Sequence, residues 1–174
     1  MATGRANQLT KQVGEYLVAA ELARLGLIAA TFSGSVPDYD IIASDSTYRS
    51  VFVQVKTVTG SSWQFDIRRF LDVSLQGQTQ VLGAPVPQHA ALSCVMVALA
   101  NYGSDRFYVL PWSALQTIVV EGYRQYLGGH GGVRPKKHDS FHCAVREIEL
   151  QPFRNQWLAE FRDRHGLQVH YADA

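Results

Sequence analysis

The chain has 174 residues, 47% of them hydrophobic and 18% charged, which suits one compact domain with a substantial core and excludes a disordered chain. A formal charge of +1 argues against a protein that holds nucleic acid through its net charge, so any basic surface must be local. Cys94 and Cys143 lie far apart in apolar surroundings without CxxC spacing and read as buried thiols of a reducing compartment. "MATGRANQLTKQ" has no apolar leader, and no apolar run approaches the ~18 residues of a membrane helix, so a cytoplasmic protein with no membrane partner is expected.

In chain order, residues 8–25 show helical spacing with few β-branched residues, and Gly26 stands where a C-terminal cap belongs. "LIAATFSG" (27–34), "YDIIAS" (39–44) and "RSVFVQVKTV" (49–58) predict three strands, with Asp45 and Ser46 supplying turn chemistry between the last two. "WQFDI" (63–67) predicts another. The Gly-, Gln- and Pro-rich "QGQTQVLGAPVPQ" (76–88) reads as a surface loop too short to separate two domains. "ALSCVMVALA" (91–100) is a continuous apolar run of strand length, and "RFYVLP" (106–111) resembles its hairpin partner; both belong at the centre of a sheet. A helix is expected after Pro111 within "WSALQTIVVEGYRQYL", a mobile loop at "GGHGGVRPKKHDS" (128–140), and a helix at "NQWLAEFRDRHG" (155–166) ending at Gly166. The expected architecture is a single α/β domain over residues 1–174, its mixed sheet including residues 38–43, 50–58 and 91–100, with the first helix packed against it.

Some polar residues conflict with a purely structural reading. At 100° per residue, Val18, Ala19 and Leu22 flank Glu15, while Glu21 and Arg24 share a side that can face water. An unpaired charge in an apolar stripe costs several kcal/mol, so Glu15 must meet a cation or sit at the edge of a polar cleft. In "VFVQVKTV" the side chains of Phe52, Gln54, Lys56 and Val58 share one face and those of Val51, Val53 and Val55 the other. Gln54 and Lys56 therefore project together, about 6 to 7 Å apart. Asp40 precedes Ile41 and Ile42, where strand pairing can bring its carboxylate beside that pair.

This constellation suits metal-assisted phosphodiester hydrolysis. A hard divalent cation takes oxygen ligands, which Asp40, the Gln54 amide and the Val55 backbone carbonyl can provide, with Glu15 converging from the helix. The cation polarises phosphate and acidifies bound water, while Lys56 orients the attacking water or stabilises pentavalent charge.

The motifs "GEYLVAAELARLG", "PDYDIIAS" and "VQVKTV" resemble those of the PD-(D/E)xK nuclease superfamily, in a glutamine (QxK) variant. Their spacing is similar to that of its archaeal Holliday-junction resolvase-like and type IV restriction nuclease branches, and the likeness covers about residues 10 to 60 well. The resemblance implies a restriction-endonuclease-like fold, Glu15, Asp40, Gln54 and Lys56 as active-site residues, Mg²⁺ or Mn²⁺ as cofactor, DNA as substrate and a possible homodimer. Gln54 stands where most members carry Asp or Glu, which removes a negative charge from the metal site and weakens cation affinity. The "PD" dipeptide nominates Asp38 as an alternative, although Asp40 is the acid that abuts the apolar pair.

Other polar features are local. Arg134, Lys136 and Lys137 in "RPKK" are candidates for a phosphate backbone, as are Arg68 and Arg69 after the fourth strand. His130, His138 and His142 lack a cysteine or acid at metal spacing and read as exposed loop histidines, and Trp63, Trp112 and Trp157 as core or interface aromatics. A metal-dependent nuclease is the leading function; a catalytically silent nucleic-acid-binding module or a protein-interaction module on the same fold are the alternatives.

Overall fold

A computed structural model describes residues 4–32, 38–87 and 90–170. Helix α1 (Gly4–Arg24) buries Gly14, Val18 and Leu22, the face that helical spacing predicts. It stops at Gly26, whose φ of 78° is a left-handed conformation that glycine adopts without a Cβ penalty. Strands β1 (Ile28–Thr31), β2 (Ile41–Ser44) and β3 (Ser50–Val58) follow as an antiparallel series. Ser33 and Gly34, the end of the first predicted strand, lie outside the described residues. β4 (Ser62–Asp66) matches its prediction.

The segment expected to be a loop is instead mostly a hairpin. β5 (Leu71–Gln76) and β6 (Thr79–Pro85) pair across a turn at Gly77, φ 63°. Its glutamines hid the strand pattern because one of them, Gln80, points inward and is buried. Gln80 also ties down the glycine-rich segment that reads as mobile: its Nε2 donates to the carbonyls of His138 (2.6 Å) and Ser140 (3.0 Å), and its N–H to Gly132 (2.9 Å).

β7 (Leu92–Ala98) is buried at every residue and β8 (Arg106–Pro111) pairs with it. The main sheet has the order β1-β2-β3-β7-β8, antiparallel except for the central β3–β7 pair, where Gln54 faces Cys94 and Lys56 faces Met96. Buried on both faces, β7 needs no polar alternation, which is why its sequence is continuously apolar. Helix α2 (Trp112–Gly128) follows at once, and β9 (His142–Arg146) pairs with β4. β9 escapes sequence reading because only Cys143 and Val145 turn inward among polar neighbours.

Two cores flank the sheet. Val51, Val53 and Val55 of β3 pack with Val18 and Leu22 of α1 and with Trp157 and Phe161. Phe52 and Val58 join Cys94, Met96, Trp112 and the rest of α2 on the other face. Leu22 is fully buried, and truncating such a leucine costs roughly 2–5 kcal/mol. The last predicted helix is shorter than its pattern: a π-helical turn, Ala159–Arg164, occupies its centre and Gly166 ends it at φ 63°. The result is a mixed α/β fold with helices on both faces of a central mixed sheet. No helix among the described residues is long and apolar enough to cross a membrane.

Candidate active site

Close approach of α1 to β3 begins the site. A Cβ added at Gly14 would lie 1.8 Å from Thr57 Oγ1, so only glycine lets the helix settle there, and the next residue is Glu15. Only 13% of the Glu15 side chain is exposed. Burial, then the nearby Asp40 charge, raises its pKa against the opposing pull of Lys11.

Asp40 sits where β2 runs out. The ladder's last pair is Ile41 with Val53, and the Asp40 N–H donates to the Val53 carbonyl at 2.9 Å. Val55 lies beyond the end of β2, so its N–H lacks a strand partner there and donates to Asp40 Oδ2 at 2.8 Å. This bond fixes the carboxylate. By strand parity the Val55 carbonyl points to the same unpaired side.

Lys11 joins the two acids, with Nζ 3.4 Å from Glu15 Oε1 and 3.2 Å from Asp40 Oδ1. Burial disfavours its charge, but the two carboxylates outweigh that effect and raise its pKa. Sequence reasoning missed Lys11. Its spacing of four from Glu15 was a visible ion-pair signal, whereas its reach to Asp40 is a tertiary contact.

Gln54 is 7% exposed. Its Nε2 donates to the Asp38 carbonyl at 3.2 Å, while its Oε1 is buried with no partner among the described residues. An orphaned buried acceptor costs about 1–3 kcal/mol, so the fold bears a cost at this oxygen. Asp38 itself is exposed, at φ 74°, and does not join the Lys11 cluster.

Lys56 is half-buried and has no carboxylate partner within ion-pair distance among the described residues. Burial lowers its pKa, and the Arg69 charge adds to the effect while Asp40 opposes it. Its backbone carbonyl accepts from Trp63 Nε1 at 2.9 Å. The Lys56 side chain opens on a cleft of about 560 Å³ that also meets Gln64, Arg68, Arg69, Ser140 and His142. Asp66 caps the 3₁₀ turn Ile67–Arg69 and engages Arg68, with Oδ1 2.9 Å from Nε. Arg69 has no such acid among the described residues, and its guanidinium lies 6.0 Å from the Trp112 ring centre.

Thus Glu15 and Asp40 meet around Lys11, Gln54 is held beside Asp38, and Lys56 opens on the neighbouring cleft within the field of Asp40. Of the other cations, Arg134 is engaged inside the fold, over Tyr126 (5.3 Å) and donating to the His142 carbonyl, while Lys136 and Lys137 are exposed. His130, His138 and His142 are exposed, both cysteines are free and buried, and burial pushes the Cys143 thiol up to about 12. Trp63, Trp112 and Trp157 are buried.

No group of three or more His, Cys, Asp or Glu is gathered for a metal among the described residues. The carboxylates that meet are those of Glu15 and Asp40, whose oxygens are of the kind a hard cation takes, while Gln54 is held apart from them on the Asp38 carbonyl.

No family profile matches the sequence. No curated protein matches it either. Among solved structures, a bacterial homing endonuclease superposes with a TM-score of 0.41 at 17% identity, covering 63% of this chain and 72% of that one.

Proposed function

We propose that the chain is a metal-dependent nuclease of the PD-(D/E)xK kind, restriction-endonuclease-like in fold, which hydrolyses phosphodiester bonds in DNA with Mg²⁺ or Mn²⁺. The observation that carries this reading is Lys56: a half-buried ammonium without an acid partner among the described residues, one position from the Val55 amide that grips Asp40. A desolvated cation kept free of carboxylates suits an anion that arrives from solution. Asp40 and Glu15 supply anionic oxygens for the cation, and Gln54 Oε1 and the Val55 carbonyl supply neutral ones. A divalent cation held by these oxygens would supply Lewis-acid polarisation of the phosphate and of an attacking water. Lys56 would meet the charge that builds on the phosphoryl oxygens as a water oxygen bonds to phosphorus and gives up its proton to solvent, while the P–O bond to the leaving oxygen breaks and that oxygen takes a proton from solvent. Arg69 holds phosphate in the same cleft.

A second reading has one observation in its favour. Lys11 already bridges Glu15 and Asp40, as an ammonium does in a site that works without metal, and a catalytically silent nucleic-acid-binding module follows from that. Incubating the purified protein with linear, nicked, branched and single-stranded DNA and with RNA, under Mg²⁺ and Mn²⁺, separates the two. Cleavage that disappears in Lys56→Ala supports the nuclease. Salt-dependent binding with no cleavage by wild type supports the module.

A further inference from the structure

Beside the cleft that holds Lys56 lies a second cavity of about 510 Å³, lined by Asp38, Tyr39, Phe52, Arg69, Leu92 and Trp112, among others. Its size falls in the range of about 300–1,000 Å³ typical of small-ligand sites. Three aromatic rings, those of Tyr39, Phe52 and Trp112, form part of its wall beside aliphatic Leu92. Tyr39 and Phe52 pack against each other with ring centres 4.8 Å apart, and Trp112 is held by stacking on Phe70 at 5.0 Å and 11°. Asp38 adds a polar group, its backbone carbonyl fixed by the Gln54 amide. Arg69 lines both this cavity and the Lys56 cleft.

We infer that this cavity receives an unpaired nucleobase of the strand whose phosphate lies against Lys56 and Arg69. The inference rests on the nuclease reading for the strand's position, and on the cavity for its occupant. An occupant must be flat and apolar enough to stack on aromatic rings yet carry an anion into the neighbouring cleft, and Arg69, shared by both spaces, sets that spacing to one continuous group. A nucleotide has both parts. Bases in a duplex are stacked and out of reach, so the strand presents one that is unpaired or extruded. Stacking on aromatic side chains accepts any base and contributes measurably to affinity.

The test walks a single abasic position along a fluorescent single-stranded DNA oligonucleotide and measures affinity by anisotropy in EDTA, where no cation supports cleavage. One register is expected to lose affinity by about tenfold, the scale of a lost base–aromatic stack. Tyr39→Ala is expected to bind that abasic strand and the intact strand alike. Phe52→Leu, which keeps apolar volume and removes the ring, serves as a second variant should Tyr39→Ala fold poorly, and is expected to behave the same way. A flat abasic scan in wild type, or full discrimination retained in both variants, overturns the pocket. Cleavage of the intact strand in Mg²⁺ is read in parallel: cleavage with a flat scan sinks the pocket alone, discrimination without cleavage sinks the nuclease reading alone, and neither signal sinks both.

Discussion

Lys11, not Lys56, is the cation that meets Glu15, with Nζ 3.4 Å from its carboxylate and 3.2 Å from that of Asp40. An ammonium placed between two acids competes with a divalent cation for the same oxygens. Lys11→Ala is therefore expected to lower Tm without metal, since it leaves Glu15 and Asp40 facing each other, and to tighten Mn²⁺ binding by at least tenfold, since repulsion between unit charges ~4 Å apart is about 1 kcal/mol even in bulk water and a divalent cation doubles it. Calorimetric titration with Mn²⁺ reads the affinity, and melts with and without Mn²⁺ read the stability. Unchanged Mn²⁺ affinity in Lys11→Ala would place the cation elsewhere.

The freedom of Lys56 has a consequence for stability as well as for catalysis. Burial lowers its pKa, so the folded state bears the cost of its charge at neutral pH, and that cost fades as pH rises through the depressed value toward the unfolded one near ~10.4. Lys56→Met removes the cost. It is expected to raise Tm at pH 7, with the gain shrinking toward pH 10, while abolishing cleavage and leaving Mn²⁺ affinity close to wild type. Were Lys56 the structural partner of a buried acid, the same change would lower Tm by several degrees.

Much of this site was legible before folding. Helical phase singled out Glu15 because Val18 and Leu22 flank it, and strand parity put Gln54 and Lys56 on one face because the period of two leaves no choice. What stayed hidden was tertiary: the reach of Lys11 to Asp40, the bond from Val55 to a carboxylate beyond the end of β2, and the wall that Trp112 makes with Tyr39 and Phe52. The β5–β6 hairpin was hidden for a different reason. Gln80 is a polar residue at an inward position, and it earns burial through bonds to Tyr123, His138 and Ser140 that no local pattern encodes.

Asp45 offers a pH handle far from the cleft. Its buried carboxylate accepts from the N–H of Gln168 (2.9 Å), from Thr47 through both N–H (2.8 Å) and hydroxyl (2.7 Å), and from the Arg49 N–H (3.1 Å). These bonds, the Gln168 one foremost, hold it well below the usual carboxylate range. A depressed folded pKa contributes stability above the ordinary value near ~3.9, and that contribution is lost as pH falls below it. Asp45→Asn is expected to melt lower than wild type at pH 7 and to show a shallower decline of Tm between pH 5 and pH 3. Parallel declines would assign acid sensitivity to another group.

Gly14 links the fold to the site. Alanine there puts a Cβ 1.8 Å from Thr57 Oγ1 and 2.8 Å from Thr57 Cβ, too close for a rotamer change alone to relieve. The helix must shift. Overpacking of this kind costs about 1–3 kcal/mol, and because Glu15 is the next residue, its carboxylate moves with the backbone. Gly14→Ala is expected to lower Tm and weaken Mn²⁺ binding together, whereas Gly60→Ala, where an added Cβ meets nothing within 4 Å, should leave the cation affinity alone. Melts and Mn²⁺ titrations on the two variants check this.

Gln54→Glu tests the metal assignment most directly. The Gln54 amide donates to the Asp38 carbonyl and leaves Oε1 buried without a partner among the described residues. Glutamate keeps the shape, loses the donor to Asp38, and brings a new carboxylate to the position beside the Asp38 carbonyl. Without metal that is unfavourable twice over, through an unmet Asp38 carbonyl and through a charge placed where Gln54 is 7% exposed, so Tm is expected to fall. With a divalent cation the added charge becomes a ligand, and the expected result is Mn²⁺ binding tighter than wild type together with recovery of the lost Tm. Asp40→Asn is the counterpart: it keeps the side-chain shape beside Val55, removes the anionic ligand, and should lose Mn²⁺ affinity and cleavage alike. If Gln54→Glu destabilises the protein and Mn²⁺ restores nothing, the oxygens of Gln54 and Asp40 do not share a cation, and the binding module without metal becomes the better account of this fold.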